Sequence, residues 1–406
     1  MRTPLPDTSK PAPPPERPAT PGSAAARPRL DALDGMRGAA AVGIVLLHTW
    51  MYVVGDRLVD RGTPLDLVMG QLRLGMPMFF VLSAFLIFRP FAAAMIDGRP
   101  LPRIGVYALR RVARIGPAYW VGIVLAFLVL MRFPAYAQPW SVLPTFLTFQ
   151  QNYDLATVKV LNPPMWTIAV EVTFYVAVPL LTLLLAPVTR RLATPARRRA
   201  LLAAVCVVLV VVGTAILGHA LINNLDRTAR DTLPARLAPF GAGMLVAVLT
   251  YGRQVRRTAV TVALAALGVA LVGLEATAIV RDWGSPQLRM AVVDTPASLG
   301  FALIIAAVAT GRLPGAVVFA RGPLQWYGTL SFGLYIAHYP VIWTLRGMDR
   351  FPTDPLGAIV AVLGVSTVLA VASWHVLEKP AIAWAHRRTP KREPARRNVL
   401  AGAAGD

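Results

Sequence analysis

Residues 200–222 read ALLAAVCVVLVVVGTAILGHALI, 23 residues without a single Asp, Glu, Lys or Arg. As a helix rising 1.5 Å per residue, this run is about 34 Å long and crosses the ~30 Å hydrocarbon core of a bilayer. Arg197, Arg198 and Arg199 stand directly before it. A charge-free run of this length opened by three arginines reads as a membrane span whose start is held on the cytoplasmic side. The whole chain has the same character. Of its 406 residues, 56% are hydrophobic and 15% charged, and the mean hydropathy is +0.56. Soluble domains carry roughly 25% charged residues, so the sequence predicts an all-α, polytopic transmembrane helical bundle.

Working outward from that run gives ten apolar segments, at about 34–54, 67–88, 115–133, 164–187, 200–222, 233–251, 258–280, 292–310, 323–345 and 356–384. Internal glycines and prolines such as Gly75, Pro179, Gly333 and Pro340 are tolerated in spans. With the N-terminus in the cytoplasm, the inner segments carry 28 Lys and Arg and the outer loops 12. Ten spans with both termini cytoplasmic is therefore the expected topology, in a multi-pass plasma-membrane protein. The same bias accounts for the formal net charge of +21 without a nucleic-acid partner. A single cysteine, Cys206, excludes an intrachain disulfide and a metal site built on several thiolates, and no metal is expected.

The membrane domain is expected over residues 29–386. Residues 1–28 hold nine prolines and lack an apolar core resembling a signal peptide, which predicts a disordered cytoplasmic tail. Residues 387–406, with Arg387, Arg388, Lys391, Arg392, Arg396 and Arg397, predict a second, basic tail near anionic headgroups.

Ionisable residues within spans are costly and mark function by default. Arg37 and His48 are eleven residues apart, which puts them on one helix face about 16 Å apart along the axis. His48, Glu171 and His338 fall at one computed depth, ~10 Å below the outer surface. An imidazole can take a proton from a hydroxyl, and a nearby carboxylate can hold the ring. Each of the three also suits a plain interhelical hydrogen bond. Glu275 and Glu378 read as structural, Glu378 as the partner of an inner arginine. Arg111 and Arg114, at i and i+3, share a helix face in a dense cationic region with Arg89, Arg99 and Arg103. Guanidinium groups bind phosphate in bidentate fashion, although positive-inside anchoring also explains the cluster.

Six motifs in order resemble the acyltransferase-3 family of integral membrane acyltransferases. Leu33-Asp34-Gly35-Met36-Arg37-Gly38 followed by His48 is similar to the family's opening. The stretch from Gly75 to Ile87, GMPMFFVLSAFLI, resembles its second-span motif, and the stretch from Arg110 to Tyr119, RRVARIGPAY, its third-span entry. Trp166 followed by Glu171 and Phe174-Tyr175 resembles a further motif. Leu330 to Pro340, LSFGLYIAHYP, resembles the ninth-span motif and Glu378-Lys379-Pro380 the closing one. Ala84 stands where Gly is usual, and Val172 where a second Glu is common. No esterase-like domain follows the last span, as in the family's stand-alone bacterial form.

The resemblance implies transfer of an acyl group, often acetyl, from acyl-CoA to a hydroxyl of a carbohydrate or other metabolite. Acyl-CoA would be a co-substrate, and no cofactor is implied. His48 and Glu171 would be catalytic. Arg37, Arg111, Arg114, Trp166, Tyr335 and His338 would bind donor or substrate. Other acceptors, such as a macrolide, fit the same chemistry. A polytopic transporter would also place His and Glu in spans, but no inverted repeat of broken helices is visible.

Overall fold

The computed structural model describes residues 27–55, 63–281, 283–311 and 313–389. Almost all of both expected tails, and Asp56 and Asp60 of the first outer loop, lie outside the described residues. The chain is 79% helical, and no strand occurs among the described residues. Ten helices carry the fold: α1 Arg27–Val53, α2 Gly75–Asp97, α3 Ile104–Leu130, α4 Trp166–Arg191, α5 Pro195–Ile222, α6 Leu237–Thr250, α7 Thr258–Val280, α8 Thr295–Thr310, α9 Gly322–Gly347 and α10 Pro355–Ser373. A five-residue π turn, Trp374–Glu378, continues α10 into Lys379–Arg388.

Eight segments of the described residues are long and apolar enough to cross a membrane. They contain every helix of the ten except α6 and α9. Helix α6 is apolar but only 14 residues long. Helix α9 has 26 residues, and polar groups such as Gln325, Ser331, His338 and Arg346 dilute its hydropathy. All ten expected segments thus correspond to helices, although two boundaries move. Arg89 lies inside α2, which runs on to Asp97 and ends at Gly98 in the left-handed region (φ 68°). Helix α3 begins at Ile104, eleven residues before the expected start, so Arg110, Arg111 and Arg114 belong to the spanning helix itself. Arginine has good helix propensity, and the hydrophobic window alone could not include it.

Local sequence starts several of these helices. Thr194 and Asp354 accept hydrogen bonds from the Arg197 and Gly357 amides, and Pro195 and Pro355 follow at the first helical position. Glu275 of α7 caps α8, accepting from the backbone N–H of Asp294 (3.0 Å) and Ala297 (2.9 Å). A carboxylate at a helix N-terminus suits both the orphan amides and the dipole.

Helix α2 lies at the centre. Phe80, Phe85, Phe88 and Phe91 are buried on it, and Phe80 stacks on Phe240 of α6, which stacks in turn on Phe174 of α4. Outward-facing aliphatics such as Leu184, Val269, Leu356 and Val368 remain exposed, as lipid-facing side chains do. The helices share a basic end, where Arg198 bonds the Ile96 carbonyl, Arg199 that of Tyr251, and Arg110 the Thr389 hydroxyl. At the opposite end Arg236 meets Asp294 and Asp231 (2.8 and 3.0 Å).

Helices α1 and α9 run parallel and touch backbone to backbone. A Cβ on Gly38 would lie 2.1 Å from the Leu324 carbonyl oxygen, and one on Gly328 would lie 2.1 Å from that of Asp34. Small residues at such crossings allow close approach in membranes. His48 and His338 each follow their glycine by ten residues. In parallel helices equal offsets mean equal heights, about 15 Å beyond the crossing. This crossing sets the register of the site.

Candidate active site

Five expected residues, Arg37, Arg111, Arg114, Glu171 and Tyr335, line one cavity of about 520 Å³. The cavity lies among α1, α2, α3, α4 and α9, with Arg110 and His386 also on its wall. The arginines differ in what holds them. Arg37 Nη1 bonds Asp34 at 2.9 Å. Arg114 Nη1 meets Glu378 Oε2 at 3.2 Å, and Glu378 is fully buried. The sequence expectation of an ion pair at Glu378 therefore holds, and Arg114 is the partner. Arg111 lies 5.9 Å from the Tyr175 ring, and its buried Nε has no hydrogen-bond partner among the described residues.

Glu171 faces the cavity from α4. Its Oε1 accepts from the Ser83 hydroxyl and from the Tyr175 hydroxyl at 2.5 Å. Both are O–H donors to a carboxylate, the stronger class of hydrogen bond. Tyr175 is one turn beyond Glu171, an i,i+4 neighbour that helical spacing could have identified. Ser83 came only with the second-span motif, and its meeting with Glu171 is a tertiary contact that spacing cannot give.

His48 and His338 meet directly. His48 Nδ1 lies 2.8 Å from His338 Nε2, and the rings are 4° from parallel. The shared depth expected for these two is realised as a contact. The expected hydrogen bond between His48 and Glu171 is absent: Glu171 is taken by Ser83 and Tyr175, and His48 by His338. Glu171 projects from α4, whereas His338 reaches His48 because α1 and α9 are in backbone contact. Tyr335 joins the two groups. It lines the cavity, bonds Thr167 of α4 at 2.9 Å, and its ring centroid lies 5.6 Å from that of His338.

Trp166 is not on the cavity wall. Two cations lie over its ring, Lys159 Nζ at 5.2 Å and Arg236 Cζ at 4.8 Å from the centroid. Both cations also reach Asp231 (2.8 and 3.0 Å). Burial pushes the Lys159 ammonium below its ordinary range, and Asp231 opposes that shift. The cation–π contacts hold Trp166 where the 131–165 loop enters α4.

Beyond the histidines, sequence reasoning missed an aromatic network. Tyr339 packs edge-on against His48, with ring centroids 5.3 Å apart. The Tyr52 hydroxyl donates to that of Tyr339 at 3.0 Å and accepts from Trp343 Nε1 at 2.6 Å. Tyr52 is four residues beyond His48 and Tyr339 adjoins His338, so periodicity held part of the signal. The π turn at Trp374–Glu378 had none, although it swings the Glu378 carboxyl inward against Gly333, where a Cβ would lie 3.2 Å from Glu378 Oε1. Single π turns occur frequently at functional sites.

Among the described residues no group of three or more His, Cys, Asp or Glu could hold a metal ion. A family described as an acyltransferase domain matches residues 30–375. Over 58 residues the chain is 40% identical to the YrhL protein of Bacillus subtilis (strain 168), whose given name is that of a peptidoglycan O-acetyltransferase. That stretch is 14% of this chain and covers 9% of the relative's length. No solved structure matches.

Proposed function

The chain belongs to this family of membrane acyltransferases, and on that premise we propose that it moves an acetyl group from acetyl-CoA to a hydroxyl of a carbohydrate, with His48 as the base. The observation that carries the proposal is the His48–His338 contact at 2.8 Å beside an arginine-lined cavity. In this reading the donor enters from the basic end, which faces the cytoplasm. Arg111, free of carboxylate partners among the described residues, takes the anionic part of the donor, and Arg37 and Arg114 line its path.

Only one imidazole of the pair can donate the shared proton. His338 Nδ1 is buried without a well-formed hydrogen bond and lies against the backbone carbonyls of Leu334 and Tyr335. Carbonyls accept and never donate, so they favour the tautomer with the proton on His338 Nδ1. His338 Nε2 then accepts from His48 Nδ1–H, leaving a lone pair on His48 Nε2. His48 keeps some exposed area, whereas His338 has none.

The acceptor hydroxyl gives its proton to His48 Nε2 as its oxygen attacks the thioester carbonyl. The C–S bond then breaks, and the imidazolium proton passes to the departing thiolate, giving free CoA and the O-acyl ester. A positioned base of this kind contributes roughly 10²–10⁴-fold. Glu171, held by Ser83 and Tyr175, lines the cavity together with the arginines and fixes its wall. The test is purified protein in lipid nanodiscs with labelled acetyl-CoA and a panel of saccharides. Label appearing as an alkali-labile ester, with stoichiometric CoA release, supports the reading. An intact thioester pool across the panel, from protein that remains folded, overturns it.

A further inference from the structure

At the end of the bundle opposite the arginines lies a second cavity of about 460 Å³, within the ~300–1,000 Å³ of small-molecule sites. Tyr52, Tyr136, Phe351, Arg346 and Asp349 line it. Neighbouring side chains hold these residues in place by the contacts that follow. Tyr136 stacks on Trp343 at 5.0 Å and 9°. Arg346 Nε donates to the Tyr136 hydroxyl at 3.3 Å, and its guanidinium carbon lies 4.9 Å from the Tyr52 ring. Asp349 sits in the left-handed region (φ 54°) with an exposed side chain on the turn after α9.

This cavity is one aromatic layer away from the histidine pair. Tyr52 on its wall bonds Tyr339, and the Tyr339 ring meets both His48 (5.3 Å) and His338 (6.0 Å). On the other side of the pair, Tyr335 belongs to the arginine-lined cavity. The two cavities therefore approach the histidines from opposite ends. Their chemistry also differs: one is cationic, and the other is aromatic with one guanidinium and one carboxylate. A pyranose ring matches the second kind. Its C–H face packs on the electron-rich face of an aromatic ring, and its hydroxyls take hydrogen bonds from a guanidinium and give them to a carboxylate.

We propose that the Tyr52–Tyr136–Phe351 cavity, with Arg346 and Asp349, is the acceptor seat, where a pyranose sugar binds one aromatic layer away from His48. This rests on the acyl-transfer reading and adds the acceptor's place and class. The test uses nanodisc-reconstituted full-length protein, chitotriose as the probe sugar and acetyl-CoA as donor. Two variants are compared with the parent. Tyr136→Ala removes the stacking face, and Thr353→Trp fills the cavity mouth from an exposed position where packing is not disturbed.

Chitotriose binding, measured by titration calorimetry without donor, should weaken at least tenfold in both variants, with acetyl-CoA affinity unchanged. The sugar KM should rise in parallel. If Tyr136→Ala does not fold, Thr353→Trp alone decides. Unchanged chitotriose affinity in folded Thr353→Trp protein overturns the proposal, as does an unmodified protein that binds no chitotriose. Sugar binding that follows the cavity without acyl transfer sustains the seat and removes the transfer reading. Transfer to chitotriose that ignores both variants does the reverse.

Discussion

His48 and His338 lie 2.8 Å apart because Gly38 and Gly328, ten residues earlier on parallel helices, leave no room for a Cβ at the α1–α9 crossing. The contact between the two imidazoles is thus set by a packing contact some 15 Å away. Gly328→Leu is the direct probe. A side chain there meets the Asp34 backbone, so the helices must part or shift. Overpacking of this kind costs about 1–3 kcal/mol. We expect a lowered melting temperature and a transfer rate at least tenfold down. Full activity in a stable Gly328→Leu protein would separate the crossing from the histidine register.

The arginines should divide into two classes. Arg114→Ala orphans the buried Glu378, and breaking a buried pair by removing one partner costs about 3–5 kcal/mol. Arg114→Ala is therefore expected to unfold at lower temperature, and Arg114→Ala with Glu378→Gln to recover part of the loss. Arg111→Ala breaks no ion pair among the described residues and should retain stability. Its expected effect is a raised KM for acetyl-CoA with kcat nearly kept, since a contact remote from the thioester binds ground and transition states alike. Thermal unfolding and donor titrations on the same preparations check both halves.

Glu275 should behave as structure alone. Glu275→Ala removes the acceptor from the Asp294 and Ala297 amides. Loss of a cap costs about 0.5–2 kcal/mol. The variant should melt earlier, with the KM of either substrate unchanged in the folded fraction. A specific rise in acceptor KM would assign Glu275 a binding role.

Orientation rests on the 28-to-12 bias of Lys and Arg between alternate segments. Reporters fused after Arg199 should read cytoplasmic, and fusions at Asp231 external. An external signal at Arg199 would turn the basic cavity away from the cytoplasmic donor.

Much of this was legible in the sequence, for physical reasons. Apolar runs declare spans because a bilayer demands length and an absence of charge. The depth of His48 and His338 followed from counting 1.5 Å per residue. Glu378 could be paired with an arginine because a charge inside a span needs a partner. What failed was contact across helices. Glu171 shared the computed depth but bonds Ser83 and Tyr175, since depth says nothing of rotation about the helix axis. The start of α3 was placed late because its first turns are cationic. The matching ten-residue offsets from Gly38 to His48 and from Gly328 to His338 were present in the sequence. They acquire meaning only once α1 and α9 are known to be neighbours.

His338 also admits a graded test. His338→Gln keeps a hydrogen-bond acceptor near His48 Nδ1 but changes its geometry, whereas His338→Phe removes it. We expect kcat to fall in the order parent, Gln, Phe, with acetyl-CoA affinity preserved throughout. Equal activity in the two variants would mean that His338 does not orient the base.

The most direct test is acetyl transfer by His48→Ala protein in nanodiscs, with acetyl-CoA binding and thermal unfolding measured on the same sample. The variant is expected to fold, to bind acetyl-CoA like the parent and to transfer at least a hundredfold more slowly. Near-parental transfer by folded His48→Ala protein would contradict the role of His48 as the base.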